Sequence, residues 1–188
     1  VASAAEAAAA AERLGFPVAL KTAAPGVLHK SDIDGVRLAL HDPDAVRHAY
    51  DDIALRLGPR ILVQRMAGKG VELALGMIAD PQFGAVVMVG AGGTLVEFAK
   101  DRAFALAPFD AAEARRLIDR LRVRPLLDGV RGSAPADLAA LADAVARFSV
   151  LAASLGSHLD EIDVNPLIAG PNGPIAVDAV VVPRSPEA

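Results

Sequence analysis

Apolar and polar positions along the chain alternate between a helical period and the short apolar runs that mark strands. Residues 3–14 form an alanine-rich amphipathic stretch, with Ser3 placed as N-cap, Glu6 three residues on, and Gly15 as terminator. Val18–Lys21 and Val36–Leu40 predict strands on either side of a polar segment carrying Pro25 and Gly26. Asp42 is placed to cap a helix running to Leu57, with Val46, Ala49, Tyr50, Ile53 and Leu57 on one face. Arg60–Gln64 and Val71–Ile78 predict further strands, and Ala85–Val89 another that ends in Gly90-Ala-Gly-Gly93. Leu95–Phe98 and Phe104–Leu106 are strand candidates. Asp110–Leu121 and Pro135–Leu155 predict amphipathic helices, the second with Leu138, Leu141, Val145, Phe148, Leu151 and Leu155 in register. Strands that meet in hairpins, with helices between them, predict α+β layers with mixed or antiparallel sheets.

Composition narrows the partners. The 188 residues allow one domain, split at most into two lobes, with a substantial core. At 53% hydrophobic and 4% aromatic, that core is Ala, Leu, Val and Ile. A net charge of −4, with arginines spread along helices, argues against a nucleic-acid partner. No apolar run approaches the roughly 20 residues of a membrane span. The alanine tract Ala7–Ala11 is flanked by Glu6 and Glu12, which suits a helix rather than a secretory signal. Zero cysteines remove disulfides and thiolate metal sites and suit a cytoplasmic protein. The chain begins with Val1 rather than Met, as expected of a piece of a longer protein.

The candidate chemistry is richest near the C-terminus. Glu161-Ile-Asp-Val-Asn-Pro-Leu167 and Ile175-Ala-Val-Asp-Ala179 read as strands joined through the turn residues 169–174. Such a hairpin brings Asn165 and Asp178 together, with Asp163 on the first strand. A carboxylate and an amide oxygen suit Mg²⁺, which takes few protein ligands; an ordinary hairpin with polar ends is an equal alternative. Lys21 ends a strand, where a lone lysine is usually solvated. His29-Lys-Ser-Asp32 lies in a polar loop with the backbone amides, hydroxyl and cation to hold phosphate; its plainer reading is a solvated tip. Glu72 sits inside an apolar strand, so it faces water or serves a ligand. Gly90–Gly93 fits either a turn near the site or a packing bend, and is not counted among the site residues.

In this order, the motifs resemble those of an ATP-grasp domain. They are Gly15-Phe-Pro-Val-Ala-Leu-Lys21, the His-Lys-Ser-Asp loop within Pro25–Val36, Val63-Gln-Arg-Met-Ala67, and Gly70-Val-Glu72. Asp80-Pro-Gln-Phe-Gly84, Val89-Gly-Ala-Gly-Gly-Thr94, Gly129-Val-Arg-Gly132 and Glu161–Leu167 narrow the resemblance to NDP-forming acyl-CoA synthetases, the ADP-forming acetate–CoA ligase type related to succinyl-CoA synthetase. It covers residues 12–182. The resemblance implies a two-lobed fold, with residues 1–66 as an N-terminal lobe shortened at its start, 67–182 as a C-terminal lobe, and 183–188 as a tail. It implies ATP or ADP and Mg²⁺ as cofactors. Lys21 would contact the α/β-phosphates, and Lys30, Ser31 and Gly35 would belong to the loop covering them. Gln64, Arg65, Met66 and Ala67 would form the hinge facing adenine, and Glu72 would hold the ribose. Asn165 and Asp178, with Asp163 close by, would hold Mg²⁺. His29 would carry the phosphoryl group between a partner's phosphohistidine and ADP. The partners implied are CoA-binding and CoA-ligase modules, through which a small carboxylic acid and CoA enter.

Two departures matter. Asp34 stands where the family loop commonly has glycine, putting a charge near the phosphates. Ala105 stands where many relatives carry Arg, with Arg102 nearby as a substitute. Both lean toward a second reading, a non-catalytic ligand-sensing module of a protein acetyltransferase.

Overall fold

Caps set the first helix in the computed structural model of the chain, which describes residues 1–27, 30, 32–93, 100–130 and 132–184. The Ser3 hydroxyl accepts the Glu6 N–H at 3.2 Å, opening α1 (Ala4–Leu14). Gly15, at φ 81°, closes it by donating its N–H to the Ala11 carbonyl at 2.9 Å. The chain then runs through β1 (Val18–Thr22), β2 (Val36–Leu40), α2 (Pro43–Leu57) and β3 (Ile61–Arg65). Asp42 caps α2 by accepting the Ala45 N–H at 2.7 Å, and Pro43 occupies the first turn, where it costs no hydrogen bond.

These elements form the first of two units, Val1–Met66 and Ala67–Ala188. Its antiparallel sheet has the order β2-β1-β3. Every residue of the central strand β1 is buried. Val18 and Leu20 face a core with Ala7, Ala8, Ala11, Val46, Tyr50 and Ile53 from the helices. Small alanines on α1 supply most of its contact, so this core is compact but light in buried apolar area.

The second unit contains β4 (Val71–Asp80), β5 (Gly84–Ala91), β6 (Arg102–Leu106), α3 (Ala111–Asp119), α4 (Leu138–Leu155), β7 (Leu159–Gly170), β8 (Gly173–Ala176) and β9 (Ala179–Pro183). Its sheet runs β6-β5-β4-β7-β8, with β9 also on β7, and every pairing among the described residues is antiparallel. Alternation along β4 sends Leu73, Leu75 and Met77 into a core with Leu117, Ile118, Leu141 and Val145. Glu72, Ala74, Gly76 and Ile78 lie on the opposite face.

The differences from the sequence pattern have local causes. Helix α4 starts at Leu138, not Pro135, because Asp137 caps it and Ala136 N–H bonds the Leu127 carbonyl at 2.8 Å. Its buried stripe ends on Ala152, while Leu151 is 47% exposed. By length and composition α4 is apolar enough to cross a membrane, yet its buried face belongs to this core. The β7–β8 turn is only Pro171-Asn172, as both strands extend to the flanking glycines. Pro183, assigned to the tail, pairs with Leu159 and belongs to the sheet, and the Arg184 N–H just beyond it bonds the His158 carbonyl at 2.9 Å. The 3-10 turn Arg124–Asp128 carried no strong periodic signal. The Leu95–Phe98 candidate lies outside the described residues.

Candidate functional site

Strand β7 and its partners bring the predicted oxygen ligands together. Leu167 pairs with Ala176 and Val164 with Ala179, so the register places Asn165 opposite Asp178. Directly opposed antiparallel residues have Cα atoms roughly 5 Å apart. The partner strand breaks at Val177-Asp178, between β8 and β9, and β7 shifts register against β4 at the same level. The Asn165–Pro166 peptide bond there is cis. Asp163 sits opposite Gly76, two residues before Asn165, and all three ligand candidates are half-buried. The Asp178 carboxylate accepts the Ala179 N–H at 3.0 Å, and Asn165 Oδ1 accepts the Gly93 N–H at 3.2 Å.

These donors fit Mg²⁺ of a particular kind. They are hard oxygens, two carboxylates and one amide, with no nitrogen or sulfur donor among them. Among the described residues no group of three or more His, Cys, Asp or Glu side chains forms a metal cage. Such a set suits a cation that brings its own water and phosphate oxygens.

Glu72 lies beside this set. The Gly92 N–H donates to the Glu72 carbonyl at 2.9 Å, and a Cβ placed on Gly93 would come within 1.7 Å of Glu72 Oε2. Gly93 has φ 61°, the left-handed backbone that glycine adopts without penalty. The turn that sequence analysis left between two readings is therefore next to both Glu72 and Asn165. The signal was available: two glycines directly after an apolar strand mark a close backbone approach.

A cavity of about 630 Å³ opens next to Glu72, walled by Lys69, Gly92, Val123, Leu126 and Val130. Asp101 holds part of that wall. It is 6% exposed, and its carboxylate accepts the N–H groups of Arg122 at 2.8 Å and Val123 at 2.9 Å. Arg124 anchors the same turn to Asp119 and Asp128, at 2.7 Å each. The Arg124 hydrogen bond, followed by that of Arg115, holds the Asp119 carboxyl below the usual carboxylate range against the opposing effect of burial. Replacing Asp101 with Ala should leave two part-buried donors without their acceptor and lower stability by about 2 kcal/mol, the low end of 1–3 kcal/mol for each group. Urea unfolding reads this as a lower midpoint with an unchanged slope. A second hollow of about 650 Å³ lies by Asp80, Phe83 and Arg184, and no predicted site residue is among those that line it.

In the first unit, Lys21 is 4% exposed on the central strand, between Val36 and Leu62. It is not the solvated strand-end lysine of the plainer reading. His29 and Ser31 lie outside the described residues. The stem of their loop is defined: Gly35 receives a hydrogen bond from the Thr22 N–H and donates to the Lys30 carbonyl, both 2.8 Å. A Cβ on Gly35 would meet Thr22 Cγ2 at 2.7 Å and the Lys30 carbonyl oxygen at 2.9 Å. Its close approach is to the chain's own stem. Gln64 and Arg65 end β3, and the Arg65 guanidinium bonds the Leu14 carbonyl at the end of α1. The division between the units falls between Met66 and Ala67, both half-buried.

The two departures resolve differently. Asp34 has φ 55°, a backbone that glycine or aspartate can take. Its carboxylate pairs with Arg37 at 2.8 Å and Arg56 at 3.4 Å, and both arginines also pair with Asp52. The hydrogen bond from Arg37, aided by the charges of Arg37 and Arg56, holds the Asp34 carboxyl below the usual range. Its charge is balanced within the first unit. Arg102 cannot replace an arginine at 105, because Ala105 packs toward the helical core and Arg102 has the opposite strand parity.

Comparisons with known proteins agree with this fold. A sequence profile described as an ATP-grasp domain matches residues 1–182. The chain is 37% identical over 177 residues to the acetate–CoA ligase [ADP-forming] I subunit beta of Pyrococcus furiosus, covering 90% of this chain and 76% of that one. It is 39% identical over 176 residues to acetate–CoA ligase [ADP-forming] I of Archaeoglobus fulgidus, covering 89% of this chain but 25% of that longer one. Its fold matches a structure of the Ca. Korarchaeum cryptofilum dinucleotide forming acetyl-coenzyme A synthetase 1 with a TM-score of 0.82 and 40% identity, over 96% of this chain and 82% of that one. That structure holds coenzyme A and Mg-AMPPCP, with its phosphohistidine segment pointing towards the nucleotide binding site.

Proposed function

Because the chain belongs to the ATP-grasp domain family, we propose that it is the nucleotide-binding module of an ADP-forming acyl-CoA ligase of the acetate–CoA type. In the energy-conserving direction, phosphoryl passes from a phosphohistidine to ADP: the P–N bond breaks and a bond to the terminal ADP oxygen forms. The observation that carries this reading is the pairing of Asn165 with Asp178, with Glu72 beside them across the Gly92–Gly93 turn.

Asn165 and Asp178 would hold Mg²⁺, with Asp163 alongside. When bound, the ion neutralises charge on the nucleotide phosphates. Glu72 would accept hydrogen bonds from the ribose hydroxyls. Lys21 would meet the α/β-phosphates, and its burial in β1 supports a fixed rather than a solvated ammonium. Lys30, Ser31 and Gly35 would belong to the phosphate-covering loop, with His29 as phosphoryl carrier. Gln64, Arg65, Met66 and Ala67 would line the hinge at adenine.

The Pyrococcus furiosus relative is a separate subunit, and in Archaeoglobus fulgidus the matching region is a quarter of a longer chain. Both arrangements support CoA-binding and CoA-ligase modules as partners, through which CoA and a small carboxylic acid would enter. A cytoplasmic setting belongs to the same reading and is supported by the absence of cysteine. The ligand-sensing alternative loses one of its motives, since the Asp34 charge is balanced by Arg37 and Arg56.

Calorimetric titration with ADP tests the proposal. Mg²⁺ should tighten binding by at least about tenfold, or 1.4 kcal/mol, and Asp178→Ala should remove most of that gain. Equal ADP affinity with and without Mg²⁺ in the unsubstituted chain would reject the assigned ligands.

A further inference from the structure

We infer that the Gly92–Gly93 turn is a positioning element that fixes Glu72 and Asn165 to each other, so that nucleoside and metal bind as one coupled event. The inference rests on the proposed function and adds residues to which that reading gives no role. The turn bonds the backbone of Glu72 and the side chain of Asn165 through its own N–H groups, and the missing Cβ of Gly93 leaves room for the Glu72 carboxylate. Gly92 N–H donates to the Glu72 carbonyl at 2.9 Å, and Gly93 N–H donates to Asn165 Oδ1 at 3.2 Å. The approach on the other side is close, to backbone at Gly92 and to the end of the Glu72 side chain at Gly93. A Cβ on Gly92 would lie 2.4 Å from the Leu73 carbonyl oxygen, and one on Gly93 would lie 1.7 Å from Glu72 Oε2.

The chemistry of Asn165 gives these contacts a consequence. Its amide oxygen has two lone pairs, and the Gly93 N–H takes one. That bond fixes the plane of the amide and hence the direction of the other lone pair, as outer-shell donors do for metal ligands. Glu72 rests against the same residue from another strand. A displacement of Gly93 therefore moves the Asn165 oxygen and the Glu72 carboxylate together. Two sites that share one rigid element have linked affinities. Behind the turn, Ala91 N–H bonds the Asp101 carbonyl at 3.0 Å, and the Asp101 carboxylate bonds Arg122 and Val123 N–H. The strand end that bears the turn is thus tied to the cavity wall.

Titration of the 188-residue chain with ADP, with and without Mg²⁺, and with Mg²⁺ at saturating ADP, tests the coupling. The unsubstituted chain should bind ADP at least about tenfold more tightly with Mg²⁺, within the usual span for coupled sites. Gly93→Ala should bring that factor close to one and weaken Mg²⁺ about 10- to 100-fold, as loss of an outer-shell partner does. Gly84→Ala is the control: Gly84 has φ 76°, but its added Cβ meets nothing within 4 Å. It should keep the full factor, which separates backbone strain from the brace. Glu72→Ala added to Gly93→Ala removes the clashing carboxylate, and should return Mg²⁺ affinity to that of Glu72→Ala alone. If Gly93→Ala does not fold, amide NMR of the unsubstituted chain decides: Mg²⁺ with ADP should shift the Gly93 resonance and leave Gly84 unmoved. A Gly93→Ala chain with the full Mg²⁺ factor, or an unmoved Gly93 amide, overturns the inference. An unsubstituted chain with no Mg²⁺ dependence overturns the proposed function and the coupling with it, and is recognised before any substitution is made.

Discussion

His29→Ala, made in the enzyme assembled with its CoA-binding and CoA-ligase modules, should stop ATP formation from acyl-CoA, phosphate and ADP. The expected loss is on the order of 10³-fold or more, as when a covalent nucleophile is removed. Nucleotide binding should survive, because Lys21 in β1, Glu72 in β4, and Asn165 and Asp178 of the second unit lie outside the loop, and the loop's own Lys30, Ser31 and Gly35 are unchanged. The loop stem does not depend on the imidazole either. Its Thr22–Gly35 and Gly35–Lys30 backbone bonds and the Asp34 ion pairs remain in the variant. Neutral imidazole is a competent nucleophile near pH 7, and His29 is the one histidine in the sequence of this loop. Quenched-flow measurement of ATP, beside calorimetry of ADP with Mg²⁺, separates the two effects. Near-normal ATP formation would show that phosphate reaches ADP without this histidine.

The second large effect concerns stability and belongs to the first unit. Leu20→Ala should cost about 2–5 kcal/mol, the range for a fully buried leucine. Leu20 is 0% exposed on the central strand and faces a core in which three of the α1 residues are alanines. Units of this size have little stability in reserve, so such a loss is a large share of the total. The chain has one tyrosine and no tryptophan, and Tyr50 lies in this core with its hydroxyl on the Pro59 carbonyl at 2.9 Å. Tyrosine fluorescence therefore reports the first unit alone, while far-UV circular dichroism reports both. The Tyr50 transition should move to lower urea and leave the rest of the dichroism signal near its original midpoint. If both signals move together, the two units unfold as one.

Much of the fold was legible because caps and periods agreed. Ser3, Asp42 and Asp110 each cap the helix that follows, and Val36–Leu40 is a strand at the limits its pattern gives. The start of α4 was misread because the apolar period continues through Pro135 and Ala136, while their backbone is claimed by Leu127 across the unit. The 3-10 turn at 124–128 was missed for a similar reason: the buried Asp101 carboxylate, 21 residues before Arg122, holds the residues that lead into it, and no local pattern reports that. At the site, the pairing of Asn165 with Asp178 followed from turn chemistry and register counting. The burial of Lys21 did not, since it depends on flanking strands drawn from distant segments. The role of Asp34 was also out of reach, because Arg56 and Asp52 approach it from a helix two elements away.

The six-stranded sheet has a further consequence for handling the protein. Among the described residues β6 closes one of its edges, and Phe104 and Leu106 stand 56% and 54% exposed on it. The segment Ala103–Ala107 carries no charge, no proline and no glycine, and an exposed strand of that composition is prone to intermolecular pairing. Arg102, at its start, is the one gatekeeper on the strand. Phe104→Lys, remote from Asn165 and Asp178 in sequence, would place a charge on the exposed face of this strand and should reduce aggregation at high concentration, read by light scattering.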